Sequence, residues 1–128
     1  MGRKKVIIVD DDTLLSKTID ICLSKRGHDV RVFYSGVDAV KYLFEEKPDS
    51  VVLDIRLPDC DGWFIAKLVE KLEWLEKVPI IVISVLEPNR TQVTEVKPYA
   101  YIQKPFDMGH LVQTVERSLS EEKPLAAM

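Results

Sequence analysis

Residues 6 to 12 read VIIVDDD: four apolar, β-branched residues run straight into Asp10, Asp11 and Asp12. Such a run suits a buried strand of a parallel sheet, yet it delivers carboxylates side by side, where each disfavours ionisation of the next. Three further apolar runs lead to groups that can react or carry charge. Asp54 follows Val51 to Leu53, Ser84 follows Pro79 to Ile83, and Lys104 comes shortly after Tyr99 to Ile102. Three carboxylates gathered in one cleft are costly without a cation, and hard oxygen ligands suit Mg²⁺, which takes one or two carboxylates and keeps water and phosphate oxygens. With Lys104 as a second cation and Ser84 as a hydroxyl donor, the set would form a pocket for a phosphoryl group.

These residues meet only if the elements bring them together. Short apolar runs, Val6 to Val9, Val30 to Phe33, Val51 to Leu53, Pro79 to Ile83 and Tyr99 to Ile102, recur between segments of helical period. That alternation predicts βαβ units around a parallel sheet, here one (βα)5 domain. In such a sheet ligands bind beyond the carboxyl ends of the strands, where the strand order reverses, and that edge holds Asp10, Asp11, Asp54, Ser84 and Lys104. The second strand ends without such a group.

The helices are read from spacing. Leu15, Ile19, Cys22 and Leu23 fall on one face of the first helix, with Gly27 placed to end it in a left-handed turn. Val37, Val40, Leu43 and Phe44 repeat the spacing in the second, closed by Pro48, and Ile65, Leu68, Val69 and Leu72 in the third. Asp107 is placed as N-cap of the last helix, whose inner face is Leu111, Val112, Val115 and Leu119. Between Ile83 and Tyr99 two prolines and the lack of an apolar stripe predict a short or irregular fourth helix. Residues 121–128 have no periodicity and are expected to form a flexible tail or the start of a linker.

Composition narrows the function. At 128 residues the chain has room for one core, and with 46% hydrophobic and 30% charged residues it is globular in composition. A net charge of −3 with no concentrated basic face argues against direct nucleic-acid binding. No apolar stretch reaches the length of a membrane span and no signal-peptide core opens the chain, which predicts a cytoplasmic protein. Cys22 and Cys60 have no metal or redox spacing; Cys22 is expected in the core and Cys60 in a polar loop.

Together, VDDD, LDIRLPDCDG around Asp54, VIS at Ser84 and the KPF of Lys104 make the chain resemble the CheY-like receiver domains of two-component response regulators, over about residues 4 to 120. The resemblance implies a flavodoxin-like strand order 2-1-3-4-5. It makes Asp54 the phospho-acceptor, taking a phosphoryl group from a sensor histidine kinase or phosphotransfer protein. It assigns Mg²⁺ (or Mn²⁺) to Asp11, Asp54 and the backbone carbonyl of Arg56, with Asp10 direct or through water. Ser84 and Lys104 would contact the phosphoryl oxygens, and Tyr101 would be the switch aromatic. A downstream protein or a second copy would bind the face of the fourth helix, fifth strand and fifth helix. The chain departs from the family in the 20-residue interval from Ser84 to Lys104, a little short, and in Pro98, where a glycine-containing turn is common.

Other readings compete. Asp12 is most simply a helix cap, and Asp10 and Asp11 taken alone could be a polar strand end. A haloacid-dehalogenase-type phosphatase also uses an aspartate nucleophile and Mg²⁺, but needs a second aspartate where Arg56 stands. A phosphorylation-independent pseudo-receiver would keep the fold without the chemistry. A flavodoxin would need a hydroxyl- and glycine-rich phosphate cradle in the acidic first loop.

Overall fold

The structure is a computed structural model that describes residues 3–120. Five strands, β1 (Lys5–Val9), β2 (Asp29–Phe33), β3 (Ser50–Asp54), β4 (Ile80–Ser84) and β5 (Ala100–Gln103), alternate with five helices. The helices are α1 (Thr13–Lys25), α2 (Gly36–Glu45), α3 (Gly62–Lys71), α4 (Arg90–Val96) and α5 (Met108–Leu119). The strands pair in parallel in the order β2-β1-β3-β4-β5, as the resemblance implied. No described helix is long and apolar enough to cross a membrane.

Strand side chains alternate between faces, and both faces are covered. Val6, Ile8, Val52, Ile81, Ile83 and Ile102 pack with Ile19, Leu23, Leu111 and Val115 of α1 and α5. Ile7, Val9, Val51, Leu53, Ile80 and Val82 pack on the other side with residues of α2 and α3 and with Val96 of α4. This explains why Val6 to Val9, Val51 to Leu53 and Ile80 to Ile83 are continuously apolar, whereas the edge strand β2 carries the exposed Arg31.

The helix ends follow local chemistry. Asp12 caps α1 by accepting from the Leu15 amide, and Asp107 caps α5 by accepting from that of His110. Gly27, at φ +90°, turns the chain out of α1 as the sequence predicts. The fourth helix is short, seven residues, and ends on Lys97 at φ 53°, a left-handed conformation that favours glycine. An ion pair from Lys67 to Glu95, 3.2 Å, ties it to α3.

Two expectations about the interior need correction. On α2, Val37 and Phe44 are 48% and 55% exposed, while Gly36, Ala39 and Leu43 are buried. The helix rotates its small residues inward because the loop before α3 presses against its first turn. Cys22 is half-buried at the side of α1 rather than in the core. Cys60 lies in the loop between β3 and α3 as expected, flanked by Asp59 and Asp61, with its side chain leaning on the core beside α2. The expected tail, 121–128, lies outside the described residues.

Candidate functional site

Register builds the site. Val9 pairs with Leu53 and Ile8 with Val52, so Asp10 and Asp54 lie level at the ends of neighbouring strands. Carried one step past Ile8, Val52 and Ile102, the alternation puts Asp10, Asp54 and Lys104 on the same side. The side chains meet there: Lys104 Nζ donates to Asp10 Oδ2 and to Asp54 Oδ2, each at 2.9 Å. Asp10 is fully buried and Asp54 nearly so, whereas Asp11 is exposed.

Asp10 and Asp54 are held alike. Asp10 Oδ1 accepts from the Asp12 amide at 3.0 Å, and Asp54 Oδ1 from the Arg56 amide at 2.9 Å. Each carboxylate thus folds onto the backbone two residues on and gives its second oxygen to Lys104. Ser16 Oγ, buried in the first turns of α1, donates to the Asp10 carbonyl at 3.1 Å and fixes the end of β1.

The charges are not balanced. Burial pushes the Asp10 carboxyl above its ordinary value, and the nearby Asp54 charge adds to this, against the lowering effect of the Asp12 amide and Lys104. Burial also works against the charged form of Lys104, but hydrogen bonds and charge attraction from Asp10 and Asp54 together hold its pKa above the ordinary value. One ammonium group therefore serves two carboxylates with a third nearby. Oxygens of Asp10, Asp11 and Asp54 lie within 4.8 Å of one another, an all-oxygen donor set that fits a small divalent cation.

Ser84 and Tyr101 are joined through one residue. The Leu86 amide donates to Ser84 Oγ at 3.1 Å, and the Tyr101 hydroxyl donates to the Leu86 carbonyl at 2.8 Å. The Tyr101 ring stacks on Trp63, with centroids 6.4 Å apart and planes 26° from parallel. Neither Leu86 nor Trp63 stands out in the sequence: one acts through its backbone, and the other reads as helix packing. The Lys104 amide donates to the Ser84 carbonyl at 2.6 Å, and the Lys104-Pro105 bond is cis.

Asp10, Asp54 and Lys104 are thus in direct contact, with Asp11 beside them. Ser84 lies at the same sheet edge. Arg56 has an exposed side chain and forms an isolated bridge with Asp61 across the loop after β3. His28 is tied to Glu116 at 3.2 Å, outside the cluster.

A family model described as "Response regulator receiver domain" matches residues 6–116. Among solved structures, a CheY-like response regulator receiver domain protein from Methanospirillum hungatei superimposes with a TM-score of 0.85 at 23% identity, over 92% of this chain and 94% of that one. The response regulator DrrB of Thermotoga maritima, described as an OmpR/PhoB homolog, matches at 29% identity and TM-score 0.83, over 96% of this chain and 55% of DrrB. The receiver domain of DrrB in a BeF3-activated form matches at 28% identity and TM-score 0.81, over 91% of this chain and 97% of that one.

Proposed function

Because the chain belongs to the family of response regulator receiver domains, we propose that it works as the phospho-accepting receiver of a two-component relay, with Asp54 as the acceptor. Receivers are signalling modules rather than turnover enzymes. The observation that carries the assignment is the position of Lys104 Nζ, 2.9 Å from an oxygen of both Asp10 and Asp54 at one sheet edge. The donor would be a phosphohistidine on a sensor histidine kinase or phosphotransfer protein, and the domain would span residues 4–120. A DrrB receiver activated by BeF3, which resembles a phosphoryl group in shape and charge, supports the same chemistry by relationship.

In the proposed step an oxygen of Asp54 attacks phosphorus, and the bond from phosphorus to the donor nitrogen breaks. The electron pair leaves with the imidazole, and an acyl phosphate forms on Asp54. Lys104 would follow the charge from the Asp54 carboxylate to a phosphoryl oxygen while keeping Asp10. Mg²⁺ or Mn²⁺, held by Asp10, Asp11, Asp54 and the Arg56 carbonyl, would supply positive charge against the phosphoryl oxygens.

Ser84 Oγ accepts from Leu86 and still has its own hydrogen to give, so it would turn that hydrogen toward a phosphoryl oxygen. Its shift would pull on Leu86, whose carbonyl holds the Tyr101 hydroxyl. The response would reach the face of α4, β5 and α5, where a downstream protein or a second copy would read it.

The test is intact mass after incubation with Mg²⁺ and a small phosphodonor, for the wild type and Asp54→Asn. Gain of one phosphoryl group that needs Mg²⁺ and disappears in the variant supports the proposal. No gain in the wild type sinks it and leaves a phosphorylation-independent module.

A further inference from the structure

Asp59 lies outside the acceptor cluster, and phosphoryl transfer as described does not use it. Both oxygens of its carboxylate are nevertheless engaged. Oδ2 accepts from Ser35 Oγ at 2.7 Å and from the Val37 amide at 2.9 Å, and Oδ1 accepts from the Gly36 amide at 2.9 Å. Ser35 is the N-cap of α2, and Gly36 and Val37 open it. Asp59 therefore satisfies the free amides of a helix to which it does not belong. Ser35, the helix's own cap, reaches only the Asp38 amide at 3.3 Å and gives its proton to Asp59.

The approach is close because Gly36 has no side chain. A Cβ there would stand 2.1 Å from Cys60 Sγ and 3.3 Å from Leu57 Cδ1. The loop from Leu57 to Cys60 thus sits directly on the first turn of α2. The same loop is tied to the acceptor strand. The Arg56 amide bonds to Asp54, Arg56 bridges to Asp61, and the Gly62 amide donates to the Ile55 carbonyl at 2.8 Å. Two residues separate Arg56 from Asp59, so little slack lies between the acceptor and the contact with α2.

We propose that Asp59 is a positioning residue for the acceptor site: its three bonds to the start of α2 clasp the loop between β3 and α3 and so hold the Arg56 carbonyl in place beside Asp54. The part that concerns Arg56 rests on the reading of Asp54 as acceptor. The clasp itself is a property of the loop. The bonds to Val37, Gly36 and Ser35 keep the Asp59 carboxyl at about 2, so the clasp is charged throughout the neutral range.

Cys60 reports on the clasp without metal or phosphodonor. In a Cys22→Ser background it is the one thiol of the sequence, packed under Gly36. Asp59→Ala should raise its rate of modification by a disulfide reagent about tenfold, because the loop opens locally. In the same background the rate of phosphoryl uptake with Mg²⁺ should fall about fivefold. Removing the Asp59 charge also favours the Cys60 thiolate, so Asp59→Asn is the needed comparison. It removes the same charge and the bonds to one oxygen but keeps an acceptor for the start of α2, and should label at a rate between wild type and Asp59→Ala. Leu43→Val, which loosens the buried face of α2 away from the loop, controls for general destabilisation.

Wild-type labelling and uptake in Asp59→Ala, or equal effects in Leu43→Val at equal loss of thermal stability, would overturn the inference. Equal rates for Asp59→Ala and wild type once each is divided by the thiolate fraction from its own pH–rate profile would overturn it too, since charge alone would then explain the result. A wild type that takes up no phosphoryl group would instead refute the acceptor reading, and the clasp would be judged by labelling alone.

Discussion

Gly62 begins α3, and its place against the acceptor strand makes a sharp prediction for Gly62→Ala. A Cβ at this position would lie 2.5 Å from Ile55 Cα, 2.6 Å from the Asp54 carbonyl oxygen and 2.9 Å from that of Ile55. Carbon atoms prefer to sit at about 3.5 to 4.0 Å, so the backbones must part by about 1 Å. The obstacles are main-chain atoms inside a strand end and its loop, which cannot swing aside as a side chain would. Among the described glycines only Gly27 has a positive φ, so alanine adds no torsional strain at position 62 and the whole effect is close approach.

Forcing extra volume into such a site costs about 1 to 3 kcal/mol. Lengthening the 2.8 Å bond from the Gly62 amide to the Ile55 carbonyl adds about 1 kcal/mol. Gly62→Ala should therefore lose about 2 to 4 kcal/mol in urea denaturation, and its Tm should fall by about 10 °C. Gly109→Ala in α5 is the matched control. Its Cβ would meet only the exposed Asp107 side chain, at 3.2 Å from the oxygen that caps α5, so the gain in helix propensity is set against a shifted cap and the change should stay within about 1 kcal/mol. Since Gly62 presses on the carbonyl of Asp54, its variant should also take up phosphoryl groups more slowly under conditions where it remains folded. If the two alanine variants unfold within about 0.5 kcal/mol of each other, the close-approach argument is wrong.

At the end of α4, Lys97 holds φ 53° and ψ 60°, so Lys97→Gly should gain about 0.5 to 1 kcal/mol in denaturant; a loss would show that the lysine side chain outweighs backbone relief. Lys104→Met leaves Asp10 and Asp54 without their shared ammonium group and should cost about 3 kcal/mol in metal-free buffer. Added Mg²⁺ should then raise the Tm of the variant more than that of the wild type, and an equal rise would argue against a common charge site. The Asp59 carboxyl sits at about 2 when folded against 3.8 in an ordinary chain. Its stabilising effect is thus present above pH 3.8 and lost as pH falls from 3.8 through about 2. Denaturation across that window should fall more steeply for wild type than for Asp59→Asn, and parallel curves would refute the assignment.

The second helix shows where pattern reading fails. A stripe of large apolar residues selects Val37, Val40, Leu43 and Phe44, yet the buried side is built on Gly36, Ala39 and Leu43. Small residues carry little hydrophobic signal, and their value lies in letting another segment come close. Phe44 instead turns outward and packs against Trp74, with ring centroids 6.5 Å apart. The weak fourth helix was legible as short because prolines and the missing stripe are local facts. Its end on a left-handed lysine was not, since nothing in the residue type requires it.

What the sequence alone determined is what depends on near neighbours in the chain: the strand runs, the helix caps at Asp12 and Asp107, the turn at Gly27, and the presence of Asp10, Asp54, Ser84 and Lys104 at strand ends. A parallel sheet covered on both faces then leaves its carboxyl edge as the place for those groups. The tertiary structure decided which of them touch. Lys104 reaches back to Asp10 and Asp54 because register and side-chain alternation put all three on one side. Leu86 joins Ser84 to Tyr101 through its backbone, and Asp59 closes a loop onto α2, 22 residues from Val37 in sequence. Such contacts depend on distances fixed only when packed layers set where each loop can go, and no short-range pattern records them.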